Sequence, residues 1–282
     1  MKRRILITGA SGFVGRQVIN SLENENVDIT IVIRGEKNNL FINNKNIKKI
    51  ITTNNLFVES EKWWEDILTK IDIIIHLAWY VDTKDYLQSI KNIECMQGTI
   101  NIAKAAISAG VRRFIGIGTC FEYEFKNEII TTETNLKPNT PYAASKAATF
   151  LALSQLLPSQ SIEFAWCRLF YLYGEGEKPE RLVPYIKNKI SKGEAVELTS
   201  GNQIRDYLDV KEAGYLITKV ALGSLQGPIN ICSGVPVSIR SFAEKIAEEF
   251  NQKKLLKFGA RQENKTDPMY IVGDAEKINK FK

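Results

Sequence analysis

Short apolar runs alternate with stretches of helical periodicity over the first 170 residues of the chain. Each run is rich in β-branched residues, is bounded by turn residues and is long enough for one buried strand. Continuous apolar strands separated by helices are typical of a parallel sheet covered on both faces, and right-handed crossovers make such a sheet doubly wound. The predicted strands are 5–7, 28–33, 47–52, 71–77, 113–117 and 162–168, and the predicted helices are 13–23, 85–109 and 143–157, the last ended by Pro158.

After residue 170 this rhythm breaks, because Gly and Pro become frequent and separate short strands and helices such as 239–250. We interpret this part as a smaller α+β lobe packed against the carboxyl ends of the strands, where ligands of open α/β sheets bind. The predicted fold is therefore α/β, a Rossmann-like doubly wound parallel sheet in residues 1–170, to which some later segments return. Residues 171–282 are predicted to form mainly the substrate lobe.

Composition narrows the functional classes. Apolar residues make up 44% of the chain, and the net charge is +6 with scattered lysines, whereas a nucleic-acid-binding protein would concentrate its basic residues in a stripe. The first apolar run is too short for a signal peptide, and no run is long enough to span a membrane. We therefore expect a cytoplasmic enzyme without nucleic-acid or membrane partners. The four dispersed cysteines and the single histidine, His76, predict neither a disulfide framework nor a metal site.

A glycine-rich turn joins the first predicted strand to the first predicted helix. Glycines at this place allow backbone N–H groups to approach a pyrophosphate, and the helix N-terminus adds a favourable dipole. The sequence therefore predicts a nicotinamide dinucleotide site, formed by Thr8, Gly9, Ser11, Gly12, Phe13, Val14 and Gly15.

The end of the second predicted strand bears on the choice of dinucleotide. A carboxylate there binds the ribose 2′-hydroxyl of NAD, whereas an arginine suits the 2′-phosphate of NADP. This chain has Arg34 at that point and no acidic residue before Glu36. NADP(H) is therefore favoured, and NAD(H) stays possible.

Tyr142 and Lys146 are four residues apart in a predicted helix, so they share one face. An ammonium group near a phenol lowers the pKa of the phenol, which would make Tyr142 a proton donor and acceptor near neutral pH. The pair, at this distance after the glycine-rich turn, predicts an acid/base site next to the cofactor.

With these motifs the chain resembles the extended short-chain dehydrogenase/reductase family, specifically its nucleotide-sugar epimerases, dehydratases and reductases. The resemblance covers nearly the whole chain. Its motifs occur in order as TGASGFVG at 8–15, IIHLAW at 74–79, GTCFEY at 118–123, YAASK at 142–146, RLFYLYG at 168–174 and GNQIRDYLDV at 201–210.

The resemblance implies hydride transfer at a carbon of a nucleotide-diphosphate sugar. Thr119, Tyr142 and Lys146 would form the catalytic triad, in which Thr119 orients the substrate, Tyr142 exchanges a proton and Lys146 holds the nicotinamide ribose. Further cofactor contacts are implied for Asn55, Leu56, Leu77, Ala78, Trp79 and Phe170. Substrate contacts are implied for Trp79, Thr119, Cys120, Phe121, Tyr171, Arg181, Leu182, Arg205 and Arg261, with Arg168 a weaker candidate. A homodimer built from helices 85–109 and 140–157 is also implied.

The residues after Thr119 bear on which member of the family this chain resembles. Dehydratases place Asp-Glu there, and Cys120 and Phe121 cannot serve as acid or base for an elimination. The stretch from residue 201 to 260 is similar to 4-keto-sugar reductases of the abequose-synthase type, so an NADPH-dependent reductase of a nucleotide-linked 4-keto-6-deoxy sugar is favoured. An epimerase with tightly bound NAD is the alternative, and a non-catalytic dinucleotide-sensing regulator is a second one.

One position departs from the family pattern. The usual Asn three residues before the Gly98-Thr99 pair is Cys95, and Asn92 lies one helical turn earlier. Whether Asn92 takes over the role of the missing side chain is left open by the sequence.

Overall fold

The computed structural model describes residues 2–35, 41, 44–264 and 266–280. Its strands follow the predicted apolar runs in the first half of the chain and are shorter in the second half. In chain order the strands are Arg3–Thr8 (β1), Val27–Arg34 (β2), Ile47–Thr53 (β3), Ile73–His76 (β4), Arg113–Thr119 (β5), Ile129–Ile130 (β6), Glu163–Leu169 (β7), Tyr171–Tyr173 (β8), Val196–Leu198 (β9), Ile204–Asp209 (β10), Gly227–Ile231 (β11), Pro236–Ser238 (β12), Leu256–Phe258 (β13) and Tyr270–Gly273 (β14). The helices are Phe13–Ser21 (α1), Glu61–Leu68 (α2), Lys91–Ser108 (α3), Pro141–Ser159 (α4), Leu182–Ser191 (α5), Val210–Leu222 (α6), Ile239–Glu248 (α7) and Glu276–Asn279 (α8).

Within the described residues, seven parallel strands form the main sheet in the order β11-β7-β5-β4-β1-β2-β3. Alternate residues of β1 enter opposite cores: Ile5 and Ile7 pack with α1 and α6, whereas Leu6 packs with α2, α3 and α4. Both faces of the sheet are thus covered, which is why its strands are apolar throughout. The predicted Rossmann-like α/β fold is confirmed.

The small lobe consists of the remaining strands with α5 and α7, and in the described part of the chain it has two sheets and an apolar core of its own. Strands β12, β10, β14 and β6 form its larger sheet, with β8 paired to β10, and α5 and α7 share a separate apolar core with β9 and β13. The buried carboxylate of Asp206 in β10 ties the lobe together, since it accepts hydrogen bonds from the backbone N–H groups of Ser233, Gly234 and Gly273. From the same half of the chain, α6 packs on α1 and β11 completes the main sheet.

Two helix boundaries differ from the prediction. The helix predicted over 85–109 begins only at Lys91, because residues 83–88 form turns that the side chain of Asn92 closes through the carbonyls of Tyr86 and Ser89. The helix predicted over 143–157 extends from Pro141 to Ser159 and includes Pro158. A proline near the end of a helix removes only one backbone hydrogen bond, so it does not stop the last turn here.

Candidate active site

The glycine-rich turn between β1 and α1 leaves no room for side chains. Gly9 has φ +73°, and a Cβ there would lie 2.7 Å from the backbone nitrogen of Ala78. A Cβ at Gly15 would lie 2.1 Å from the carbonyl oxygen of Gly9, so the helix packs directly on the turn. Gly12 is the N-cap of α1 and supplies no side-chain cap, which leaves first-turn N–H groups available to an anion. Thr8, Ser11, Phe13 and Val14 belong to the same strand end, turn and first helical turn.

Arg34 and Asn55 lie at the same edge of the sheet as this turn. Arg34 is the exposed last residue of β2, and no carboxylate of the described residues pairs with it; Glu36 lies outside the described residues. Asn55 follows the neighbouring strand β3, and its side chain accepts a hydrogen bond from the backbone of Phe57 at 3.1 Å. Leu56 is buried in the core beneath them. The geometry therefore offers a cationic, open rim at the end of β2.

His76 joins the turn to α3 through buried hydroxyl groups. Its Nδ1 lies 2.8 Å from Thr8 Oγ1 and its Nε2 lies 2.9 Å from Thr99 Oγ1. The Thr99 hydroxyl donates to the Cys95 carbonyl, so Nε2 carries the proton and Nδ1 accepts from Thr8. Burial, with a smaller effect of Lys146, lowers the pKa of His76 to about 3, so the ring is neutral. His76 is therefore structural, and it fixes the segment that continues into Leu77, Ala78 and Trp79.

Thr119 ends β5 and caps a short 3-10 turn that contains Cys120 and Phe121. The buried carboxylate of Glu122 accepts hydrogen bonds from the Thr119 backbone N–H at 2.8 Å and from Arg168 Nε at 2.7 Å, and also from the indole of Trp166. Glu122 and Arg168 are 0% and 1% exposed, so this is a fully buried ion pair directly behind Thr119. The pair fixes the turn that presents the Thr119 hydroxyl.

Tyr142 and Lys146 lie in the first turns of α4, both buried and both facing the end of β5. The helix begins here because Thr140 caps it and Pro141 occupies its first position. Burial raises the pKa of the Tyr142 phenol, and the Tyr86 hydroxyl raises it further, while the neighbouring Thr119 hydroxyl lowers it only in part. Thr119, Tyr142 and Lys146 thus converge beside the glycine-rich turn.

The electrostatic relation expected for Tyr142 and Lys146 is not found. The Lys146 ammonium donates to the Ile117 carbonyl at 2.6 Å and lies 3.6 Å from the centre of the Trp79 ring, not against the phenol. The expected lowering of the Tyr142 pKa is therefore wrong for this structure, because desolvation dominates. Desolvation also lowers the pKa of Lys146 to about 7, against a weaker opposing effect of Glu122.

The small lobe brings an aromatic cluster and a buried arginine to the open side of this triad. Tyr171 lies edge-on to Phe121, and the Arg205 guanidinium lies 5.3 Å from the centre of the Tyr171 ring. Arg205 is itself buried and donates to Asp267 at 2.7 Å. Burial raises the pKa of the Cys120 thiol to about 12, so it stays protonated at neutral pH.

Two exposed arginines line the rim of the lobe. Arg181 precedes Leu182 at the start of α5, and its guanidinium lies 5.8 Å from the centre of the Tyr86 ring, which in turn contacts Tyr142. Arg261 lies 4.4 Å from the centre of the Tyr185 ring on the same helix. Phe170, for which the resemblance implies a cofactor contact, is buried. It lies between β7 and β8 and packs against Gly273.

The buried ion pairs of this site were not predicted from the sequence. Arg168, a weak candidate for the substrate diphosphate, is buried on Glu122 and Tyr123 and cannot reach a ligand. Glu122 and Asp267 were not predicted as partners of Arg168 and Arg205. The spacing of Thr119 and Glu122 matches a capping box, and this pattern could have identified Glu122.

Two other kinds of feature are absent from the described residues. No group of three or more His, Cys, Asp or Glu side chains in this part of the chain is arranged to hold a metal ion. In the same residues, no helix has both the length and the apolar character needed to cross a bilayer.

Residues 5–232 match the model of the NAD dependent epimerase/dehydratase family. The dTDP-6-deoxy-L-talose 4-dehydrogenase (NAD(+)) of Aggregatibacter actinomycetemcomitans is 24% identical over 276 residues, which cover 95% of this chain and 98% of the relative. CDP-abequose synthase of Salmonella typhimurium strain LT2 is 21% identical over 303 residues, which cover 99% and 92%. Among solved structures, UDP-N-acetylglucosamine 4-epimerase from Methanobrevibacter ruminantium M1, in complex with UDP-N-acetylmuramic acid, has a TM-score of 0.88 at 21% identity and covers 100% of this chain and 92% of that one.

These findings confirm the resemblance drawn from the motifs. The family match covers both the glycine-rich turn and the Tyr142–Lys146 helix, and the relatives are named for nucleotide-linked sugars. The chain belongs to the NAD dependent epimerase/dehydratase family, whose members named here are nucleotide-sugar enzymes.

Proposed function

We propose that the protein is an NADPH-dependent reductase of a nucleotide-linked 4-keto-6-deoxy sugar. The observation that carries this proposal is the convergence of Thr119, Tyr142 and Lys146 at a turn whose next two residues are Cys120 and Phe121. A protonated, buried thiol and a phenyl ring supply no acid or base for the loss of water, so the site is suited to proton and hydride transfer without elimination.

The described residues fit a nicotinamide dinucleotide. A Cβ at Gly9, Gly12 or Gly15 would lie within 3.1 Å of a backbone atom of the turn or of Ala78, so glycines keep this turn tight, and the first turn of α1 offers its N–H groups there. Lys146 would hold the nicotinamide ribose, and Arg34 would bind a 2′-phosphate. When bound, the dinucleotide supplies the hydride that reduces the sugar carbonyl.

The residues of the chain then supply the proton. Because burial keeps the Tyr142 phenol protonated at neutral pH, the phenol donates its proton to the sugar oxygen as the carbonyl carbon is reduced. The Thr119 hydroxyl donates a hydrogen bond to the same oxygen, and the Glu122 carboxylate fixes this residue by accepting a hydrogen bond from its backbone N–H. The exposed Arg181 and Arg261 supply positive charge for the diphosphate, whereas Arg205 is buried and already paired with Asp267.

A homodimer is part of the proposal. The exposed face of α4 carries no charged residue: it consists of Ala144, Ala148, Leu151, Ala152 and Gln155. Ile93 on the adjacent helix α3 is exposed as well. The uncharged exposed face of α4, next to Ile93 of α3, is suited to a four-helix interface.

The test is the oxidation of NADPH and NADH, followed by absorbance, with a panel of nucleotide-linked 4-keto-6-deoxy sugars. We expect oxidation of NADPH with at least one of them and formation of a single reduced sugar. Interconversion of sugar isomers without added or consumed cofactor would contradict the reductase and support the epimerase.

Sedimentation of the Leu151→Glu variant tests the dimer, since a charge in the interface should produce monomers.

A further inference from the structure

Asn92 is fully buried in the first turn of α3, and its side-chain amide connects two other segments. Its Oδ1 accepts a hydrogen bond from Trp79 Nε1 at 2.8 Å. Its Nδ2 donates to the carbonyl oxygens of Tyr86 and Ser89 at 2.6 and 2.8 Å. One amide therefore fixes both the indole after β4 and the turn before α3.

The indole held by Asn92 contacts Lys146. The Lys146 Nζ lies 3.6 Å from the centre of the Trp79 ring, and within the described residues its one hydrogen bond goes to the Ile117 carbonyl. The titratable groups that face this ammonium are Glu122 and Cys95, together with the neutral His76. Since the ammonium is buried and none of the described carboxylates is its hydrogen-bond partner, the π face of Trp79 stabilises its charge at short range, beside the weaker influences of Glu122 and of the Trp166 ring, 5.8 Å away.

The turn held by Asn92 contacts Tyr142. The backbone N–H of Tyr142 donates to the Leu87 carbonyl at 3.1 Å, and the Tyr86 ring packs edge-on against the Tyr142 ring, with the ring centres 5.1 Å apart. The same turn thus fixes both the main chain and the ring of Tyr142.

We infer that Asn92 is a positioning residue for both Lys146 and Tyr142, acting on Lys146 through Trp79 and on Tyr142 through the 86–89 turn. This inference rests on the proposed function. Cys95, one turn further along α3, does not replace Asn92 in this role: among the described residues its thiol accepts a hydrogen bond from the Tyr80 backbone N–H at 3.4 Å and contacts neither the Trp79 indole N–H nor the 86–89 turn through a hydrogen bond. The pattern of Trp at 79 with Asn at 92 would then mark relatives that lack the usual Asn at 95.

The test follows the titration of Lys146 in the cofactor-free protein by NMR, with lysine labelled at Cε and Lys146→Met used for assignment. Trp79→Leu removes the π face but keeps the site apolar, so we expect the Lys146 pKa to fall by about half a unit or more. Asn92→Leu should shift it in the same direction, and should add nothing in the Trp79→Leu background. Asn101→Leu, the same substitution on the same helix, is the matched control and should leave the pKa unchanged.

Turnover supplies the second readout. Asn92→Leu should lower kcat by roughly tenfold or more with little change in KM for the sugar, because the reacting groups move rather than the substrate contacts. Trp79→Phe, which keeps an aromatic face without the N–H, should lose less. An unchanged Lys146 pKa in both Asn92→Leu and Trp79→Leu, or additive effects in the double variant, would overturn the inference. Full turnover in Lys146→Met would instead contradict the proposed function, so the two failures are distinguishable.

Discussion

The two sides of the candidate active site are built differently. On the side of the main sheet, polar groups are buried and paired with one another, as in Thr8–His76–Thr99 and in Glu122–Arg168. On the side of the small lobe, Arg181 and Arg261 are exposed, and their guanidinium groups lie over the rings of Tyr86 and Tyr185, so their N–H groups are open to a ligand. The difference separates the two tasks of the site: the sheet side holds Thr119, Tyr142 and Lys146 in place, and the lobe side leaves cationic groups open to a ligand.

The largest effect should come from the sheet side. Tyr142→Phe removes the proposed proton donor and should lower kcat by about 10²- to 10⁴-fold, while the affinity for the dinucleotide, measured by fluorescence titration, stays close to that of the wild type. Tyr80→Phe is the control, because its hydroxyl binds Asp85 at the surface. Equal turnover in the two variants would remove Tyr142 from the mechanism.

The next largest effect should come from breaking the buried Glu122–Arg168 pair on the sheet side. Glu122→Gln leaves the Arg168 guanidinium buried without its counter-charge, so the free energy of unfolding should fall by about 3–5 kcal/mol. Urea denaturation measures it. Glu124→Gln, two residues along, loses only exposed pairs with Lys126 and Lys137 and should change the midpoint little. Similar losses of unfolding free energy in both variants would mean that the buried Glu122–Arg168 pair stabilises the protein no more than the exposed pairs of Glu124 do.

Arg34 tests the rim of the cofactor site. Arg34→Asp should change the ratio of the NADPH and NADH dissociation constants by roughly 10- to 100-fold in favour of NADH, because a charge-assisted hydrogen bond to phosphate becomes a repulsion. Arg112→Gln is the control, since Arg112 pairs with Asp72 at the opposite end of the strands. An unchanged ratio in Arg34→Asp would mean that the choice of dinucleotide is made elsewhere.

The smallest effect is a pH dependence on the sheet side. Burial lowers the pKa of Lys146 to about 7, so the ammonium is present below this pH and is lost above it. If the charged form holds the ribose, the affinity for the dinucleotide falls as the pH rises through 7, by at most about tenfold per pH unit. Titrations between pH 6 and 9 measure it, and Lys146→Met should abolish the slope.

The sequence predicted those parts of the site in which the interacting residues are close together in the chain. The turn from Gly9 to Gly15 and the pair Tyr142–Lys146 are each held within one strand–helix junction or one helix, so spacing identifies them. The start of α3 was misplaced because the apolar periodicity of Tyr86 and Ile90 continues through a turn that a side chain closes.

Other features depend on residues far apart in the chain. The Arg205–Asp267 pair spans 62 residues, and the Arg168–Glu122 pair spans 46. The direction of the Lys146 ammonium depends on the Trp79 ring from another segment. No local pattern encodes these contacts, because they arise only when the sheet has formed.

The place of β11 has a consequence for how the chain folds during synthesis. This strand covers the edge of β7, yet it follows α5, β9, β10 and α6 in the sequence. While the ribosome is still making residues 170–226, the main sheet therefore ends in an apolar strand without a neighbour, an edge open to pairing with other chains. Release of residues 227–231 closes that edge. A nascent chain stopped before this point should aggregate, even though it already contains the glycine-rich turn and the helix that carries Tyr142 and Lys146.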